Sequence, residues 1–170
     1  MKRYQGMDPG AAFAVFYEAN KDRCLRTVVA GGTDPATAEE AVAEAFARAW
    51  AAWPKVSRHP TPVAWVVRVA LNHHVSRWRR QRREVSLSDE HTGRLVAHDT
   101  DPPGREDLTS ALAELPERQR QVVALRIFLD LDTAATADVL GIAEGTVTAH
   151  LHRAMTALRA ISPKTTEVPR

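Results

Sequence analysis

The chain has 170 residues, enough for one domain or two small ones. Alanine fills 28 positions and aromatic residues only 6% of the chain, so the composition favours helices over strands. A single cysteine, Cys24, excludes an internal disulfide and a cysteine-based zinc finger. No apolar run approaches the ~18 residues of a membrane span, and the N-terminus lacks the apolar stretch of a signal peptide. We therefore expect a cytoplasmic protein that does not insert into membranes.

The net charge of +2 conceals an uneven distribution. Residues 68–83 contain six arginines and no acidic residue, which gives this window a charge of +6 and leaves −4 for the rest of the chain. A concentrated basic stretch favours a polyanionic partner, most simply nucleic acid. A solvated helix end is the alternative interpretation.

The first block, residues 8–84, has the pattern of three helices. Its first helix places aromatic residues and Cys24 near one face and ends before a Gly-Gly-Thr-Asp-Pro break, where Thr33 or Asp34 is the predicted cap. The second helix carries an apolar stripe, which predicts that Trp50 is a core residue, and it ends at Pro54. A third helix begins at Thr61-Pro62.

The remaining sequence divides into a linker and a second helical block. Residues 85–106 contain Pro-Pro-Gly and little periodicity, which predicts a flexible linker. Residues 107–161 show four helical segments. The spacing of the last two segments is typical of a helix-turn-helix, in which Gly141 is the left-handed turn residue. The second helix of this motif has a shape that fits a DNA major groove. A helical hairpin with no role in DNA binding is the alternative.

Both blocks together resemble the extracytoplasmic-function (ECF) group of the sigma-70 family of bacterial sigma factors. The N-terminal block is similar to sigma domain 2 through AEEAVAEAFARAW (38–50), Trp53 and PVAWVVRVALNHHVSRWRR (62–80). The C-terminal block is similar to sigma domain 4 through LAELPERQRQVVALR (112–126) and LGIAEGTVTAHLHRAMTAL (140–158). The segment SRWRRQRRE also resembles a short sigma-E-like subgroup of actinobacteria. The implied fold is all-α, with two small helical domains at 8–84 and 107–161 joined by the linker.

The resemblance implies a promoter-specificity subunit of RNA polymerase that needs no cofactor or metal and has no catalytic residue. Its implied partners are core RNA polymerase, promoter DNA and an anti-sigma factor. The residues matched to polymerase binding are Glu39, Glu40, Ala43, Glu44 and Arg48. Those matched to capture of the single-stranded −10 element are Trp53, Lys55, Arg58, His59, Trp65, Arg68, Asn72, Arg77, Arg79 and Arg80. Those matched to the −35 duplex are Arg126, Thr146, Thr148, Ala149, His152 and Arg153.

The chain departs from the family pattern at positions that matter for binding. Ala43 replaces the family's glutamine on the polymerase-docking helix, and Glu40 replaces its aspartate. Ala143 replaces the serine cap before the recognition helix. At the recognition-helix positions where the family has basic residues, this chain has Thr148, His150 and Met155. Because each missing phosphate contact lowers affinity and flattens its salt dependence, these departures predict a weak or unusual −35 interaction.

Three other functions compete with this interpretation. The histidine pairs 73–74 and 150/152 point to different helix faces, and no phosphate loop or nucleophile motif is present, which argues against an enzyme. The C-terminal block also resembles the DNA-reading helix of helix-turn-helix regulators, but their upstream domain is of α/β type. A polymerase-binding adaptor that has lost promoter opening is the third alternative.

Overall fold

The computed structural model describes residues 6–72 and 110–161, in which helices are the only regular secondary structure. The N-terminal module contains α1 (Pro9–Ala30), α2 (Pro35–Ala51), α3 (Trp53–Val56) and α4 (62–72). The C-terminal module contains α5 (110–113), α6 (Glu117–Phe128), α7 (Thr133–Leu140) and α8 (Glu144–Ile161). The prediction of an all-helical fold is confirmed. The predicted linker, residues 85–106, lies outside the described residues.

Helices α1 and α2 begin with the same local device, an aspartate followed by proline. The Asp8 carboxylate accepts hydrogen bonds from the backbone amides of Gly10 and Ala11, at 2.9 and 3.1 Å. The Asp34 carboxylate accepts from the Thr37 amide at 3.0 Å, so Asp34 is the cap of the two that the sequence proposed. Each cap satisfies amides that the first helical turn leaves unbonded, and each proline presets the first helical φ.

The apolar stripe of α2 packs against α1 and α4 to form the core of the N-terminal module. Phe46 and the alanines of the stripe are buried, and the Phe16 ring lies 5.9 Å from that of Phe46 and 5.1 Å from that of Trp53. The prediction that Trp50 belongs to this core is wrong, because its side chain is 49% exposed. Helix α2 ends at Ala51, before Pro54, and the chain then turns so that Trp53 points inward while Trp50 stays at the edge of the stripe.

The C-terminal module has the geometry of a helix-turn-helix. Helix α7 ends at Gly141, whose φ of 64° and ψ of 39° are left-handed, a conformation that glycine adopts without steric cost. The next residue, Ile142, donates its amide to the Ala137 carbonyl at 3.1 Å and packs beside Val122 and Val147. This apolar contact fixes α8 against α6 and α7.

The two modules pack on each other, a contact that no local sequence pattern indicated. Leu125, Leu129, Leu131 and Val139 of the C-terminal module are buried in one apolar cluster with residues of α1, α2 and α4. Helix α6 runs along α1, so the described parts of the chain share one continuous core. Within those parts, none of the helices has the length and apolar character needed to cross a membrane.

Candidate functional site

The outer face of α2 carries the residues matched to polymerase binding. Glu39, Glu40, Ala43 and Arg48 are exposed, and Glu44 is half-buried. Arg48 donates from Nε to the Glu44 carboxylate at 2.7 Å, one helical turn away, so these two predicted contacts are paired with each other. The arrangement presents a mostly acidic helix surface with a small apolar gap at Ala43.

Sequence reasoning missed Trp50 as a member of this surface. On the 3.6-residue repeat, Trp50 falls on the same outer strip as Ala43 and Ala47, and all three are exposed. One side of its ring packs on Phe13, with 5.1 Å between the ring centroids, which holds the indole in place while its other side faces solvent. The signal that could have identified it is its position at the edge of the apolar stripe, one residue before the last residue of the helix.

Helix α4 places an aromatic, a cationic and an amide side chain on one face. Trp65, Arg68 and Asn72 fall at i, i+3 and i+7; Arg68 and Asn72 are exposed and Trp65 is half-buried. Arg68 is also the start of the basic window found in the sequence. Its guanidinium lies 2.9 Å from the Asp138 carboxylate of α7, which joins the two modules at the surface. The other predicted residues of this stretch, Arg77, Arg79 and Arg80, lie outside the described residues.

The segment before α4 brings further predicted residues to its N-terminal end. Lys55 and Arg58 are exposed, and His59 is half-buried, with Nδ1 at 3.0 Å from the Thr61 amide nitrogen and 2.9 Å from the Thr61 carbonyl oxygen. The His59 ring therefore braces the start of α4. Trp53 differs from the other predicted residues of this group, because its side chain is only 4% exposed. Its ring lies edge-on to that of Phe13, with 5.2 Å between the ring centroids. A base cannot stack on an indole that is enclosed by the core in this way.

Helix α8 exposes most of the residues matched to duplex DNA. Thr146, Thr148, His152 and Arg153 are exposed, and Ala149 is half-buried. Behind this face, Val147 and Ala154 are buried and pack α8 against α6 and α7. Thr148 donates from its hydroxyl to the Glu144 carbonyl at 3.2 Å, a weak bond within the helix that an external acceptor can replace.

A second cation of α8 was missed by sequence reasoning. Arg159 is exposed and falls seven residues after His152, two helical turns along the same face. The seven-residue spacing was the available signal. The outer face of α8 therefore carries two arginines, Arg153 and Arg159, of which the sequence match included only Arg153.

Arg126 occupies a different place from the one its sequence match implies. It is half-buried, and its Nη1 donates to the backbone carbonyl of Leu131. This hydrogen bond closes the turn between α6 and α7, which contains Asp130, a non-glycine residue with a φ of 51°. In this structure Arg126 holds the α6–α7 turn rather than projecting from α6 toward a duplex.

The described residues offer no group of three or more histidine, cysteine or carboxylate side chains that could hold a metal ion. Cys24 is fully buried, and the loss of hydration raises the pKa of its thiol to about 12. A thiol that stays protonated at neutral pH is a poor nucleophile and a poor redox sensor. Cys24 is a core residue.

Comparisons with known proteins match both modules of the chain. Residues 16–84 match the family model for sigma-70 region 2, and residues 105–158 match that for sigma-70 region 4. The RNA polymerase sigma-E factor of Streptomyces antibioticus is 30% identical over 148 residues, covering 86% of this chain and 82% of that protein. The ECF RNA polymerase sigma factor SigL of Mycobacterium tuberculosis is 35% identical over 132 residues, covering 74% and 75%.

Two solved structures share the fold. The sigma factor RpoE, in complex with the anti-sigma factor NepR from Bartonella quintana, superposes with a TM-score of 0.72 at 20% identity, covering 88% of this chain and 95% of that one. CnrH in complex with the cytosolic domain of CnrY gives a TM-score of 0.63 at 21% identity, covering 94% and 92%.

A chain that matches sigma-70 region 2 and region 4, and whose relatives are matched over three quarters or more of their length, is a transcription initiation factor. The chain belongs to the sigma-70 family of RNA polymerase sigma factors, in its extracytoplasmic-function group.

Proposed function

We propose that the chain works by binding rather than by chemistry, in the cytoplasm, through three surfaces: the outer strip of α2 for core RNA polymerase, the Trp65 face of α4 for the −10 element and the outer face of α8 for the −35 element. The observation that carries the proposal is that each of these helices keeps predicted contact residues exposed: Glu40 on α2, Arg68 on α4 and Arg153 on α8. We further propose domain 2 at 8–84 and domain 4 at 107–161, with residues 85–106 as the linker.

The α2 surface suits a partner helix that offers apolar and cationic side chains. Its acidic residues supply charge complementarity, and the exposed indole of Trp50 supplies an aromatic anchor of the kind that dominates binding energy in interfaces. Ala43 leaves room beside that anchor for a large side chain of the partner. Trp50 thus offsets the family's missing glutamine with apolar contact.

The α4 face suits single-stranded DNA. Unstacked bases need an aromatic platform and the phosphates need cations, and Trp65 with Arg68 supplies one of each within a helical turn. Asn72, one turn further on, can both donate and accept hydrogen bonds at a base edge. Lys55 and Arg58 extend the cationic track at the end of α4 where His59 braces the chain.

The α8 face suits duplex DNA in the major groove, with modest affinity. Arg153 and Arg159 can each pair with a phosphate or a guanine, while Thr148 and His152 add uncharged or weakly charged contacts. Only two cationic side chains would contact the phosphates, so binding would release few counterions from the DNA. The affinity of this module alone for DNA should therefore depend only weakly on salt concentration. Promoter selection then rests more heavily on the α4 face and its basic extension.

An anti-sigma factor is proposed as a further partner. The support is that RpoE, whose fold this chain shares, was solved in complex with the anti-sigma factor NepR. Binding of such a protein over the α2 or α4 surface would exclude polymerase or DNA by steric overlap.

Run-off transcription with purified core polymerase over a library of genomic promoters tests the proposal. We expect initiation that depends on this chain and is lost on Arg68→Ala with polymerase binding retained. Trp50→Ala should weaken polymerase binding itself, by about tenfold or more if it is an anchor residue. The matched control is Glu18→Ala, an exposed residue of α1, which should change neither quantity. Polymerase binding without initiation on any template would instead support an adaptor that does not open promoters.

A further inference from the structure

One glycine of α8 has no reason for its place within the chain itself. The structure describes six glycines, and five of them are explained by their surroundings. Three have a positive φ, which favours glycine, and at two others a Cβ would stand 3.0 or 3.2 Å from an oxygen atom. Gly145, in the first turn of α8, has neither property: its φ is not positive, and a Cβ there would have nothing within 4 Å. An alanine would therefore fit at this position in the free chain.

Glycine at this position also lowers the stability of α8. It gives up more backbone freedom than alanine when a helix forms, and it has no side chain that could pack. Gly145 is exposed, and the space around it is open, so no contact within the chain offsets this loss. A residue that the fold does not require points to a requirement from outside. Close approach of the helix backbone to a ligand is the requirement that glycine meets best.

Gly145 lies on the same strip of α8 as residues proposed to contact duplex DNA. Thr148, Ala149 and His152 follow it at i+3, i+4 and i+7, within two helical turns. Gly145, Thr148 and His152 are exposed, and Ala149 is half-buried. The missing side chain is therefore at the N-terminal end of the proposed DNA face. A recognition helix in a major groove presents its N-terminal residues to the base edges, so this is the end of α8 that would come nearest to them.

The side chains beside Gly145 are short and uncharged, so they reach a base edge only if α8 comes close to it. Ala149 ends in a methyl group. The Thr148 hydroxyl donates to the Glu144 carbonyl at 3.2 Å, and while it does so the methyl group is the part of Thr148 left for a partner. Two methyl groups on one helical strip suit the C5-methyl group of thymine, which is the apolar feature of the major groove. The exposed Arg153 lies further along α8, where its longer side chain can reach a phosphate without such close approach.

We propose that Gly145 is the point of closest approach between α8 and the −35 duplex, and that this approach lets the methyl groups of Thr148 and Ala149 recognise thymine. Arg153 anchors the helix on a phosphate or a guanine, while the N-terminal half of α8 reads the sequence by apolar contact. Selectivity of this kind needs few cations, in keeping with Thr148 at a position where the family has a basic residue. The inference rests on the proposed function, because it specifies how the proposed DNA face of α8 reads the duplex.

Opposite changes in stability and in affinity test the role of Gly145. The full chain first selects duplexes from a random-sequence library, and the affinity for the selected duplex is then measured by fluorescence anisotropy. Gly145→Ala should raise the melting temperature by about 1–3 °C, because alanine favours the helix. It should also weaken binding of the duplex about tenfold, because the added methyl group holds α8 away from the bases. The control is Val15→Ala, which also raises helix propensity at an exposed position, but on α1, and should leave the affinity unchanged.

A cycle of substitutions in the protein and in the DNA tests the thymine contact. Replacing one thymine of the selected duplex by uracil removes its C5-methyl group and changes nothing else. At one or two positions we expect this replacement to weaken binding by the parent chain about two- to fivefold, the value of one buried methyl group. Thr148→Ser keeps the hydroxyl and loses the methyl group, so the effect of uracil should disappear at one of these positions. In Gly145→Ala it should disappear at all of them, because the methyl groups no longer reach the bases.

The outcomes separate this inference from the proposed function. If Gly145→Ala binds the duplex as tightly as the parent chain while Arg153→Ala binds it weakly, α8 reads DNA without the close approach, and the inference alone is overturned. An effect of uracil that is absent in the parent chain, or equal in the parent chain, Thr148→Ser and Gly145→Ala, would overturn the thymine contact. A parent chain that selects no duplex sequence would overturn the proposed −35 role of α8, and the inference with it.

Discussion

At the scale of single residues, two tryptophans three positions apart have opposite environments. Trp53 is buried against the rings of Phe13 and Phe16. Trp50 is half-exposed, and one side of its ring packs on Phe13. Periodicity assigned both to one stripe because it assumes that α2 continues through Trp53. The break after Ala51 changes the direction of the chain by enough to exchange their roles. Periodicity thus placed both tryptophans in the core, which holds for Trp53 and fails for Trp50, whereas it was the family resemblance that matched Trp53 to the −10 element.

Cys24 gives a residue-scale prediction for stability against pH. Burial raises the pKa of its thiol to about 12, while the unfolded thiol keeps its ordinary value of 9.0. Above pH 9 the unfolded state has lost the proton that the folded state retains, so the free energy of unfolding falls as pH rises toward 12. The slope approaches about 1.4 kcal/mol per pH unit for one proton.

Urea unfolding of the parent chain and of Cys24→Ala between pH 7.5 and about pH 11 measures this term. The variant lacks the thiol, so the parent should lose stability relative to the variant only above pH 9. Lysines and tyrosines titrate in both chains and cancel in the difference. Two parallel stability curves would show that the Cys24 thiol ionises in the folded chain as easily as in the unfolded one.

At the scale of helices, local sequence predicted much of what is observed. Predicted segments at 117–129, 134–140 and 144–160 correspond to α6, α7 and α8 within one residue at each end. Caps, proline positions and apolar periodicity are all local signals, which is why they could be read without tertiary information. The assignments of individual contact residues depend on where each helix lies, and those for polymerase and DNA binding stay predictions.

Helix α8 lacks the side-chain cap that α1, α2 and α7 have. Ala143 precedes it and offers only its carbonyl, which accepts from the amides of Thr146 and Val147 at 2.9 and 3.1 Å. Ala143→Ser would add a hydroxyl acceptor for an amide of the first turn. We expect the free energy of unfolding to rise by about 1 kcal/mol.

Thermal or urea unfolding checks this expectation, with Ala160→Ser as control. Ala160 is exposed near the opposite end of α8, where a serine hydroxyl has no unbonded amide to accept from, so this variant should be neutral or slightly destabilised. An unchanged midpoint for Ala143→Ser would mean that the first turn of α8 is already satisfied by water.

At the scale of the whole molecule, the two modules share one core and should unfold together. All four tryptophans lie between residues 50 and 78, so fluorescence reports on the N-terminal half, whereas circular dichroism reports on the helices of both halves. We expect coincident urea transitions from the two probes. Leu129→Ala, which truncates a buried C-terminal residue of the shared cluster, should lower both midpoints equally, by about 2–5 kcal/mol in stability.

The control for this experiment is Ile127→Ala, two residues earlier on α6. Ile127 is 56% exposed, so its truncation should leave both transitions nearly unchanged. If Leu129→Ala left the fluorescence transition in place while the circular dichroism transition split into two steps, the two modules would be independent domains.

By itself the sequence determined most of the helices, the helix-turn-helix and the family, because each depends on residues that are close together in the chain. Only the tertiary structure decided which side chains are accessible to a partner. It buried Trp53 and exposed Trp50, engaged Arg126 with the Leu131 carbonyl, and brought Arg68 to Asp138, a residue 70 positions away. Burial and ion pairing depend on contacts between distant segments, and a periodic pattern along one helix carries no information about which distant segment will pack against it.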